Sequence, residues 1–266
     1  MNKPLVSFYM TVRNGLPYLH EAVDSIRNQT YENWEAVIVD DGSTDQTLAY
    51  LREVESQDDR FRIFAGQGCG RGKALNMALK NARGLYVANL DADDLSHPQR
   101  LEMQAEIISV TECRFLCAGT DIINDDVAAK WTPFSSPFHH DVTDVSSLLM
   151  KSNPVSHISM FCRRDDILSV GGYSETRKSQ LDYELWFRLV MNGVKLYRTS
   201  YPLAAKRIHA RQSFENKNRI KYLFSSVLLQ KRIISELRGG NIYYLYLFMR
   251  LIYGLLPQGV RMHLRQ

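Results

Sequence analysis

Short apolar runs alternate with segments of helical periodicity along the first part of the chain. Residues 5–11 form a run of branched and aromatic side chains that is too short for a helix and ends at the turn signal Asn14-Gly15, so this run predicts a buried strand. A second apolar run, residues 34–39, predicts another strand. Between them, apolar residues recur at helical spacing at Leu19, Ala22, Val23 and Ile26. The pattern therefore predicts a βαβ unit.

The alternation continues through a second helix and a third strand. Ser43 and Gln46, three residues apart, are typical of a capping box that opens a helix. Residues 61–65 predict the third strand, and residues 73–82 predict the helix that follows it. Repeated alternation of strands and helices predicts an α/β fold with a parallel, doubly wound sheet.

Three acidic residues follow the apolar run at residues 84–90. A strand there places Asp91, Asp93 and Asp94 at its carboxyl end, the edge of an open α/β sheet where ligands bind. Repulsion among three carboxylates raises their pKa values unless a hard cation and the phosphates of a ligand complete an oxygen shell. The run therefore predicts a Mg²⁺ or Mn²⁺ site, and a sugar nucleotide is a ligand that supplies a diphosphate.

Two other roles compete with a metal site at these acids. A calcium loop opened by Asp91 would end at Glu102, but its sixth position is Ser96 rather than the glycine that the turn of such a loop requires. An EF-hand is therefore excluded. Either of the two later acids could instead cap a helix introduced by His97-Pro98, although a cap needs one acid and not three.

A second acidic segment, Asp40-Asp-Gly-Ser43, follows the strand at residues 34–39. Asp40 lies at the carboxyl end of that strand, where its carboxylate could accept hydrogen bonds from a base or a ribose. Asp41 or Ser43 is expected to stabilise the turn.

The glycine-rich run Gly66-Gln-Gly-Cys-Gly-Arg-Gly-Lys73 fits neither of the two common phosphate-binding patterns. A Walker loop needs glycine at position 67 and Ser or Thr at position 74, where the chain has Gln67 and Ala74. The dinucleotide fingerprint needs glycine at position 71 or 73, where the chain has Arg71 and Lys73, and this argues against a nicotinamide oxidoreductase. A loop that presents these two cations at the start of a helix can meet nucleotide phosphates or a base, and a solvated basic loop is the alternative.

Beyond residue 110 the pattern is less regular. Residues 115–120 predict a strand, and alternating segments in residues 122–131 are expected to extend the sheet. Residues 132–144 contain two prolines and His139-His140 and are typical of a mobile loop, in which adjacent histidines are expected to be solvated rather than to bind a metal.

A helix is predicted at residues 181–191, ending at Asn192-Gly193. Its apolar stripe consists of Leu185, Trp186, Leu189 and Val190. Asp182 falls on the same side at the start of the helix, whereas Glu184 is expected to point well away from it. Asp182 is therefore either a helix cap or a carboxylate directed toward the packed side.

Composition separates a body from a basic tail. The 266 residues, 45% hydrophobic and 23% charged, are enough for one sizeable core with a small appendage. Residues 1–214 contain 24 Lys and Arg against 27 Asp and Glu, a net charge of −3, and residues 215–266 contain 9 against 2, a net charge of +7. The formal charge of +4 therefore comes from the tail.

Two helical segments are expected in the tail. Residues 217–237 are basic, and residues 242–256 are apolar and rich in tyrosine, with Arg250 interrupting them. The second segment is too short and too charged for a transmembrane helix, which needs about 20 apolar residues. An interfacial helix on a membrane is expected, and a helix packed on the protein body or in a homodimer is the alternative.

The cysteines and the amino terminus bear on location. The four cysteines show no CxxC spacing, and the first ten residues lack the basic segment, apolar run and cleavage site of a signal peptide. We therefore expect reduced thiols and a cytoplasmic protein, peripheral on the inner face of the cytoplasmic membrane through its tail. No nucleic-acid partner is expected.

Eight short motifs follow one another along the first four-fifths of the chain. They are residues 6–13, Asp40-Asp-Gly-Ser43, Gly72-Lys-Ala-Leu-Asn76, Leu90-Asp-Ala-Asp-Asp94, residues 98–101, Gly171-Gly-Tyr173, Leu181-Asp-Tyr-Glu-Leu-Trp186 and Arg207-Ile-His209. In order and spacing they resemble the bacterial family-2 glycosyltransferases of the GT-A fold. The resemblance implies a Rossmann-like, mainly parallel sheet flanked by helices, and inverting transfer of a sugar from a nucleotide diphosphate to an acceptor hydroxyl with the help of Mn²⁺ or Mg²⁺.

The resemblance also implies roles for the acidic motif and the late histidine. In the DxD motif formed by Asp91, Ala92 and Asp93, the first acid faces the ribose and the last binds the metal. The Arg207-Ile-His209 motif places its histidine near the metal and the diphosphate. His209 is therefore a second expected metal ligand, and a structural histidine is the alternative.

Other matched residues are expected to bind the nucleotide or to act in the reaction. In the family, Asp40 matches the acid that contacts the base. The loop that closes over the base contains Arg71 and Lys73, and the backbone near Thr11 and Arg13 lines the same pocket.

The family pattern carries an acidic pair at residues 181 and 182, of which the second member is the general base. Leu181 replaces the first acid, and Asp182 keeps the second. Asp182 is therefore the expected catalytic residue. The replacement of the first acid by Leu181 is expected to affect contacts with the acceptor more than proton transfer.

The expected function is sugar transfer in the synthesis of a bacterial surface polysaccharide or lipopolysaccharide. A UDP-linked donor is favoured over a GDP- or dTDP-linked one, and the acceptor is a glycan or a lipid-linked glycan. A nucleotidyltransferase and a degenerate sugar-nucleotide-binding module, the latter favoured by Leu181, are the alternatives. The expected domains are residues 1–212, the GT-A domain, and residues 213–266, a helical extension.

Overall fold

The computed structural model describes residues 3–124, 130–209 and 219–256. The alternating first part of the chain contains β1 (Val6–Val12), α1 (Leu19–Arg27), β2 (Trp34–Asp40), α2 (Thr47–Gln57), β3 (Phe61–Ala65), α3 (Arg71–Asn81), β4 (Tyr86–Asn89), β5 (Leu95–Ser96) and α4 (Arg100–Thr111). The later elements are β6 (Phe115–Asn124), β7 (Thr143–Asp144), β8 (Phe161–Arg163), α5 (Arg164–Ser169), α6 (Leu181–Met191), β9 (Tyr197–Ile208), α7 (Arg219–Glu236) and α8 (Asn241–Leu255). Short 3₁₀ helices occupy Ser146–Met150 and His157–Ser159.

One mixed sheet contains the strands of the described residues, in the order β3-β2-β1-β4-β8-β6-β9-β5, with β7 paired to β9. The strands β1 to β4 pair in parallel, as do β6 and β9. The shorter strands β5, β7 and β8 are antiparallel to their neighbours. The predicted α/β class with a mainly parallel sheet is confirmed, but the purely parallel, doubly wound pattern applies only to the half formed by β1 to β4.

The central strands β1 and β2 form the middle of the core. Every residue of β2 is buried, as is every residue of β1 except Thr11. Parallel strands that are covered on both faces have continuous apolar runs rather than alternating ones. This is why the strands were visible in the sequence as largely apolar runs, interrupted by Ser7, Thr11 and Glu35.

The capping box predicted for α2 does not form. This helix begins at Thr47, and the Ser43 hydroxyl accepts a hydrogen bond from the backbone N–H of Asn14 rather than from the helix. The Asp45 carboxylate accepts from the N–H of Thr47 instead. A local sequence signature was therefore overridden by a contact with the loop after β1.

One alternative and one further local prediction are corrected. The helix α4 is preceded by Gln99, so neither Asp93 nor Asp94 caps it. The loop histidines are not both solvated, because His140 Nε2 lies 2.8 Å from a carboxylate oxygen of Glu106 in α4. Of residues 122–131, which were expected to extend the sheet, the first three belong to β6 and residues 125–129 lie outside the described residues.

The chain divides into two compact units, Met1–Val145 with Val155–His209, and Ser146–Pro154 with Ala210–Gln266. In the second unit α7 and α8 form an antiparallel hairpin, since Leu223 near the start of α7 packs against Gly254 near the end of α8. The predicted helical extension is confirmed. Within the part of the chain that the structure describes, no helix combines the length and the apolar character needed to cross a bilayer.

Candidate functional site

The carboxyl ends of four parallel strands meet at one edge of the sheet. Because β3, β2, β1 and β4 are neighbours in that order, the loops that follow them lie side by side. Asp40 ends β2, opposite Val12 at the end of β1. Asp91 and Asp93 follow β4 directly. The acids that the sequence singled out therefore share one edge.

Asp40 is a buried carboxylate whose two oxygens differ in their hydrogen bonding. Its Oδ1 accepts hydrogen bonds from the backbone N–H groups of Gly42 at 3.1 Å and Ser43 at 2.9 Å. Its Oδ2 is buried and has no hydrogen-bond partner among the described residues. Leaving a buried acceptor unpaired is costly, so Oδ2 is the atom that an N–H or O–H group of a ligand would satisfy.

The neighbouring acid, Asp41, organises the glycine-rich loop. Its two carboxylate oxygens accept hydrogen bonds from the backbone N–H groups of Cys69 at 2.8 Å and Gly70 at 2.9 Å. Gly42, with a φ of 77°, passes so close to the loop that a Cβ there would lie 2.9 Å from the nitrogen of Gly68. Asp41 is thus the structural acid of the pair, and it fixes the loop that leads into α3.

The loop brings Arg71 to Asp91. Arg71 begins α3, two residues earlier than predicted, and one guanidinium nitrogen donates to both carboxylate oxygens of Asp91, each at 2.8 Å. Burial acts to raise the pKa of Asp91, but Arg71 and then His157 hold this pKa below its ordinary value. Lys73 is exposed in the first turn of the same helix. Arg71 is therefore ion-paired with Asp91, and 49% of its side chain is exposed.

The remaining residues predicted to bind the nucleotide lie at the same edge. Thr11 is half-buried in β1 and is paired with Val39 of β2. Arg13 is exposed immediately after β1. Ala92 packs against the hydrophobic core between its two acidic neighbours.

Asp93 contacts His209, which follows β9. His209 Nε2 lies 3.0 Å from Asp93 Oδ2. Arg207, two residues earlier, donates from its backbone N–H to the Asp94 carboxylate at 2.8 Å and from its guanidinium to Glu21 of α1 at 2.8 Å. The Arg207-Ile-His209 motif thus fastens the acidic loop to the first helix and brings an imidazole to Asp93.

The expected repulsion among the three acids has its clearest effect on the pKa of Asp94. Burial, together with the charges of Asp91 and Asp93, raises the pKa of Asp94 to about 8. Asp91 escapes this effect because Arg71 compensates its charge. The cluster therefore carries less negative charge than three acids would suggest.

Asp93 and His209 together can contribute to a divalent metal site. A carboxylate oxygen suits Mg²⁺ or Mn²⁺, and an imidazole nitrogen adds a softer ligand. Among the described residues, no group of three or more His, Cys, Asp or Glu side chains is placed to hold a metal ion. A cation held by these two side chains therefore needs further oxygen ligands, which a diphosphate and water can supply.

The helix α6 carries Asp182 to the same cluster. The pKa of Arg71 is raised mainly by the charge of Asp91, and Asp182 adds to this effect. Burial is the largest influence on the pKa values of His157 and Tyr173, and the charge of Asp182 acts to raise both of them. Its carboxylate therefore lies within electrostatic reach of the Arg71–Asp91 pair. Gln180 precedes the helix and Asp182 is its second residue, so Asp182 does not occupy the N-cap position.

Glu184 departs from the prediction. It is buried, and both of its carboxylate oxygens accept hydrogen bonds from Arg188 at 2.8 Å. Arg188 also donates to the carbonyl oxygens of Val170 and Gly172. Glu184 does not point away from the packed side, because α6 is buried around most of its circumference.

A row of buried side chains connects Asp91 to the core through hydrogen bonds and a histidine–carboxylate contact. The apolar pattern of the sequence did not predict it. His157 Nδ1 lies 3.8 Å from Asp91 Oδ1, His157 Nε2 lies 2.6 Å from the Tyr173 hydroxyl, and that hydroxyl lies 2.5 Å from the hydroxyl of Tyr9. Burial lowers the pKa of His157, and the charge of Asp91 opposes this change. The only sequence signal was Tyr173 in its Gly-Gly-Tyr motif, since His157 has no local signature.

Two glycine motifs that lie far apart in sequence interlock beside α3. Asn76 exchanges two hydrogen bonds with the backbone of Tyr173, at 2.8 Å and 2.7 Å. A Cβ at Gly72 would lie 2.3 Å from the carbonyl oxygen of Ser174, and a Cβ at Gly172 would lie 2.4 Å from Asn76 Oδ1. These contacts hold in place the helix whose first turn carries the two cations.

Substitution of Gly172 tests this interlock, and Gly171 provides the matched control. Both have a left-handed backbone, with φ of 68° and 84°, but only at Gly172 would a Cβ meet another group within 4 Å. We expect Gly171→Ala to lower the free energy of unfolding by about 1 kcal/mol and Gly172→Ala by about 3 kcal/mol, because the second also disturbs the Asn76 hydrogen bonds. Urea denaturation measures both values. Equal losses would show that the contact with Asn76 tolerates a methyl group.

The sequence is similar to curated bacterial proteins. TuaG of Bacillus subtilis strain 168, assigned by its name to teichuronic acid biosynthesis as a glycosyltransferase, is 28% identical over 216 residues, which cover 81% of this chain and 83% of TuaG. An uncharacterized glycosyltransferase of Rickettsia felis is 29% identical over 212 residues, which cover 79% of this chain and 35% of that protein. The chain therefore spans about a third of the length of the Rickettsia protein.

Solved structures share the fold. S. aureus TarS 1–349 in complex with UDP-GlcNAc has a TM-score of 0.68 and 20% sequence identity, covering 84% of this chain and 65% of that chain. The mannosyltransferase PcManGT from Pyrobaculum calidifontis, in complex with GDP-Man and Mn²⁺, has a TM-score of 0.65 and 18% identity, covering 96% and 73%. The predicted GT-A fold is confirmed.

A family match covers the part of the chain that builds the nucleotide edge. The family Glycosyl transferase family 2 matches residues 7–168. The matched segment begins in β1, passes through the loops that carry Asp40, Asp91 and Asp93, and ends in α5. Since it covers more than half of the sequence, the chain belongs to glycosyl transferase family 2.

Proposed function

We propose that the protein is an inverting glycosyltransferase that moves a sugar from a nucleotide diphosphate to an acceptor hydroxyl. The observation that carries this proposal is the meeting of Asp40, the Arg71–Asp91 pair and the Asp93–His209 pair at one sheet edge, with Asp182 within electrostatic reach of Arg71. These groups divide into an acceptor for a base, a cationic loop for a diphosphate, a metal-binding pair and a separate carboxylate. A donor and an acceptor together need all four.

The nucleotide is proposed to lie along the ends of β1 and β2. Asp40 Oδ2 accepts a hydrogen bond from the base, and the backbone near Thr11 and Arg13 lines the pocket. Asp91 faces the ribose. When the donor binds, Arg71 gives up part of its contact with Asp91 and contacts the donor instead. A UDP-linked sugar is favoured, since TarS is solved with UDP-GlcNAc, and the GDP-Man complex of PcManGT keeps a GDP-linked sugar as the alternative.

Asp93 and His209 are proposed to hold Mn²⁺ or Mg²⁺ against the diphosphate. The metal would supply positive charge that stabilises the departing nucleotide diphosphate. The protein's own contribution is to keep the pair in place, through Arg207 and its bonds to Asp94 and Glu21. PcManGT, with its bound Mn²⁺, supports the choice of a divalent cation.

Asp182 is proposed as the general base. It accepts the proton of the acceptor hydroxyl as that oxygen attacks the anomeric carbon, on the face opposite the departing diphosphate. A single displacement of this kind inverts the anomeric configuration. Asp182 lies in the first turn of α6, at the end of the helix whose dipole attracts negative charge. The similarity to TuaG supports a surface polysaccharide, or its lipid-linked precursor, as the acceptor.

A panel of nucleotide sugars tests the function. We expect one UDP-, GDP- or dTDP-linked sugar to raise the unfolding temperature in the presence of Mn²⁺, because a ligand at one hundred times its Kd adds about 2.7 kcal/mol of stability. With that donor and a glycan acceptor, the nucleoside diphosphate should be released. Release of pyrophosphate, with the nucleotide kept on the product, would identify a nucleotidyltransferase. Metal-dependent binding without turnover on any acceptor would identify a sugar-nucleotide-binding module.

A further inference from the structure

The outer face of α8 is apolar over its whole length. Its side chains are between 44% and 59% exposed, and they are Ile242, Leu245, Phe248, Met249, Ile252 and Leu255. In the helical repeat these positions fall on one side, opposite Leu247, which is buried. A continuous apolar face exposed to water marks a binding surface.

The one charge in α8 is turned away from this face. Arg250 interrupts the apolar run in the sequence, but in the structure its guanidinium donates to Ser226 Oγ at 2.6 Å and to Gln230 Oε1, both on α7. Gln230 is fully buried and in turn donates to the carbonyl oxygens of Met150 and Lys151 at 3.0 Å and 2.7 Å. The charge is therefore satisfied inside the second unit, and the outer face has no charge to desolvate.

Cations border the apolar face. The Lys151 ammonium lies 4.9 Å from the centre of the Tyr246 ring, and Lys221 and Lys231 are exposed on α7. α7 adds an exposed apolar stripe with a spacing of four residues, which consists of Ile220, Phe224 and Leu228. An apolar centre with tyrosines and a cationic border is the composition of helices that lie in the interface of an anionic bilayer.

We propose that this surface docks on a membrane that contains anionic lipids, with α8 lying in the plane of the interface. A second copy of the chain is the competing occupant. A two-fold contact through α8 would bring together two segments that each carry a net charge of +7 over residues 215–266, and like charges oppose such a contact. The same charge attracts anionic lipid. The proposal does not depend on the donor or on the reaction.

Vesicle flotation of the full chain tests the proposal. We expect the protein to float with phosphatidylcholine vesicles that contain about 30% phosphatidylglycerol and to bind pure phosphatidylcholine at least about tenfold more weakly, because each basic residue at an anionic surface contributes about fivefold. Added salt should weaken the binding. Equal binding to neutral vesicles would overturn the role of the cations, and binding to neither would overturn the proposal.

A double substitution separates the α8 face from general charge. Phe248→Asp with Ile252→Asp places two charges on exposed positions, 56% and 44% exposed, and should lower vesicle binding by at least about tenfold. Val110→Asp with Leu85→Asp, 58% and 45% exposed in the other unit, adds the same two charges as a matched control and should bind as the unmodified protein does.

Folding and self-association are checked on the same variants. If the double variant loses its helical circular dichroism, Lys151→Glu takes its place and should weaken binding to anionic vesicles severalfold, since it reverses a charge beside Tyr246 without altering either helix. Unchanged binding of Lys151→Glu would then overturn the proposal. Light scattering that shows a dimer dissociated by the double substitution, with vesicle binding unaffected, would identify a second copy as the occupant instead.

Discussion

Replacing Asp182 by asparagine is expected to lower kcat by about 10² to 10⁴, or roughly 3 to 5 kcal/mol of transition-state stabilisation. An amide cannot accept the proton of the acceptor hydroxyl, whereas it fills the same volume in the first turn of α6. Binding of the donor should therefore be kept. The measurement is turnover at saturating donor and acceptor, with donor affinity determined separately by calorimetry.

The control for Asp182 has to be an acid without a structural role. Glu184 is unsuitable, because it is buried and its loss would leave Arg188 without its carboxylate partner. Asp165 in α5, whose side chain is 78% exposed, is the better choice, and Asp165→Asn should turn over normally. Near-normal turnover of Asp182→Asn with saturating acceptor would remove Asp182 from the reaction.

The second large effect is expected at the metal pair. Asp93→Asn should weaken binding of the nucleotide in the presence of Mn²⁺ by about a hundredfold, because the amide carries no charge to offset a cation that also faces a diphosphate. Binding without metal should change little. Calorimetry in the presence of Mn²⁺ and in the presence of a chelator measures the metal-dependent and the metal-independent binding of the nucleotide.

A companion substitution assigns the role of His209. If the imidazole is a ligand, His209→Asn should also weaken metal-dependent binding, whereas a purely structural histidine would leave the affinity for Mn²⁺ unchanged. Asp24→Asn, at an exposed acid of α1, controls for a general loss of negative charge. Unchanged nucleotide affinity in Asp93→Asn would place the metal at other residues.

Regular elements followed by a clear turn signal were predictable from sequence. The bounds of β3 and α6 agree with the predicted residues 61–65 and 181–191, since Gly66 follows the first and Asn192-Gly193 follows the second. The three-residue strand β8 was not predicted, because it is too short to show a period. The capping box of α2 failed because Ser43 found a partner across the sheet edge, at the N–H of Asn14.

Much of the chemistry at the sheet edge could be read from the sequence. Asp40, Asp91 and Asp93 follow predicted strands, so the sequence placed these acids at the carboxyl ends of the strands. The glycine-rich loop offered Arg71 as a candidate for the same ligand, with a solvated loop as the alternative. The family resemblance added Asp182 and His209.

The pairing of these groups, and the side chains that support them, follow from the tertiary structure. It separated Asp40, with its unpaired Oδ2, from the structural Asp41, buried Glu184 against Arg188, and placed His157 beneath Asp91. It also turned Arg250 inward and left the face of α8 without charge. Periodicity in a sequence shows which side of a helix or strand is covered. A contact between residues that are distant in sequence depends instead on the order of strands in the sheet and on the packing of helices, and no local pattern contains that information.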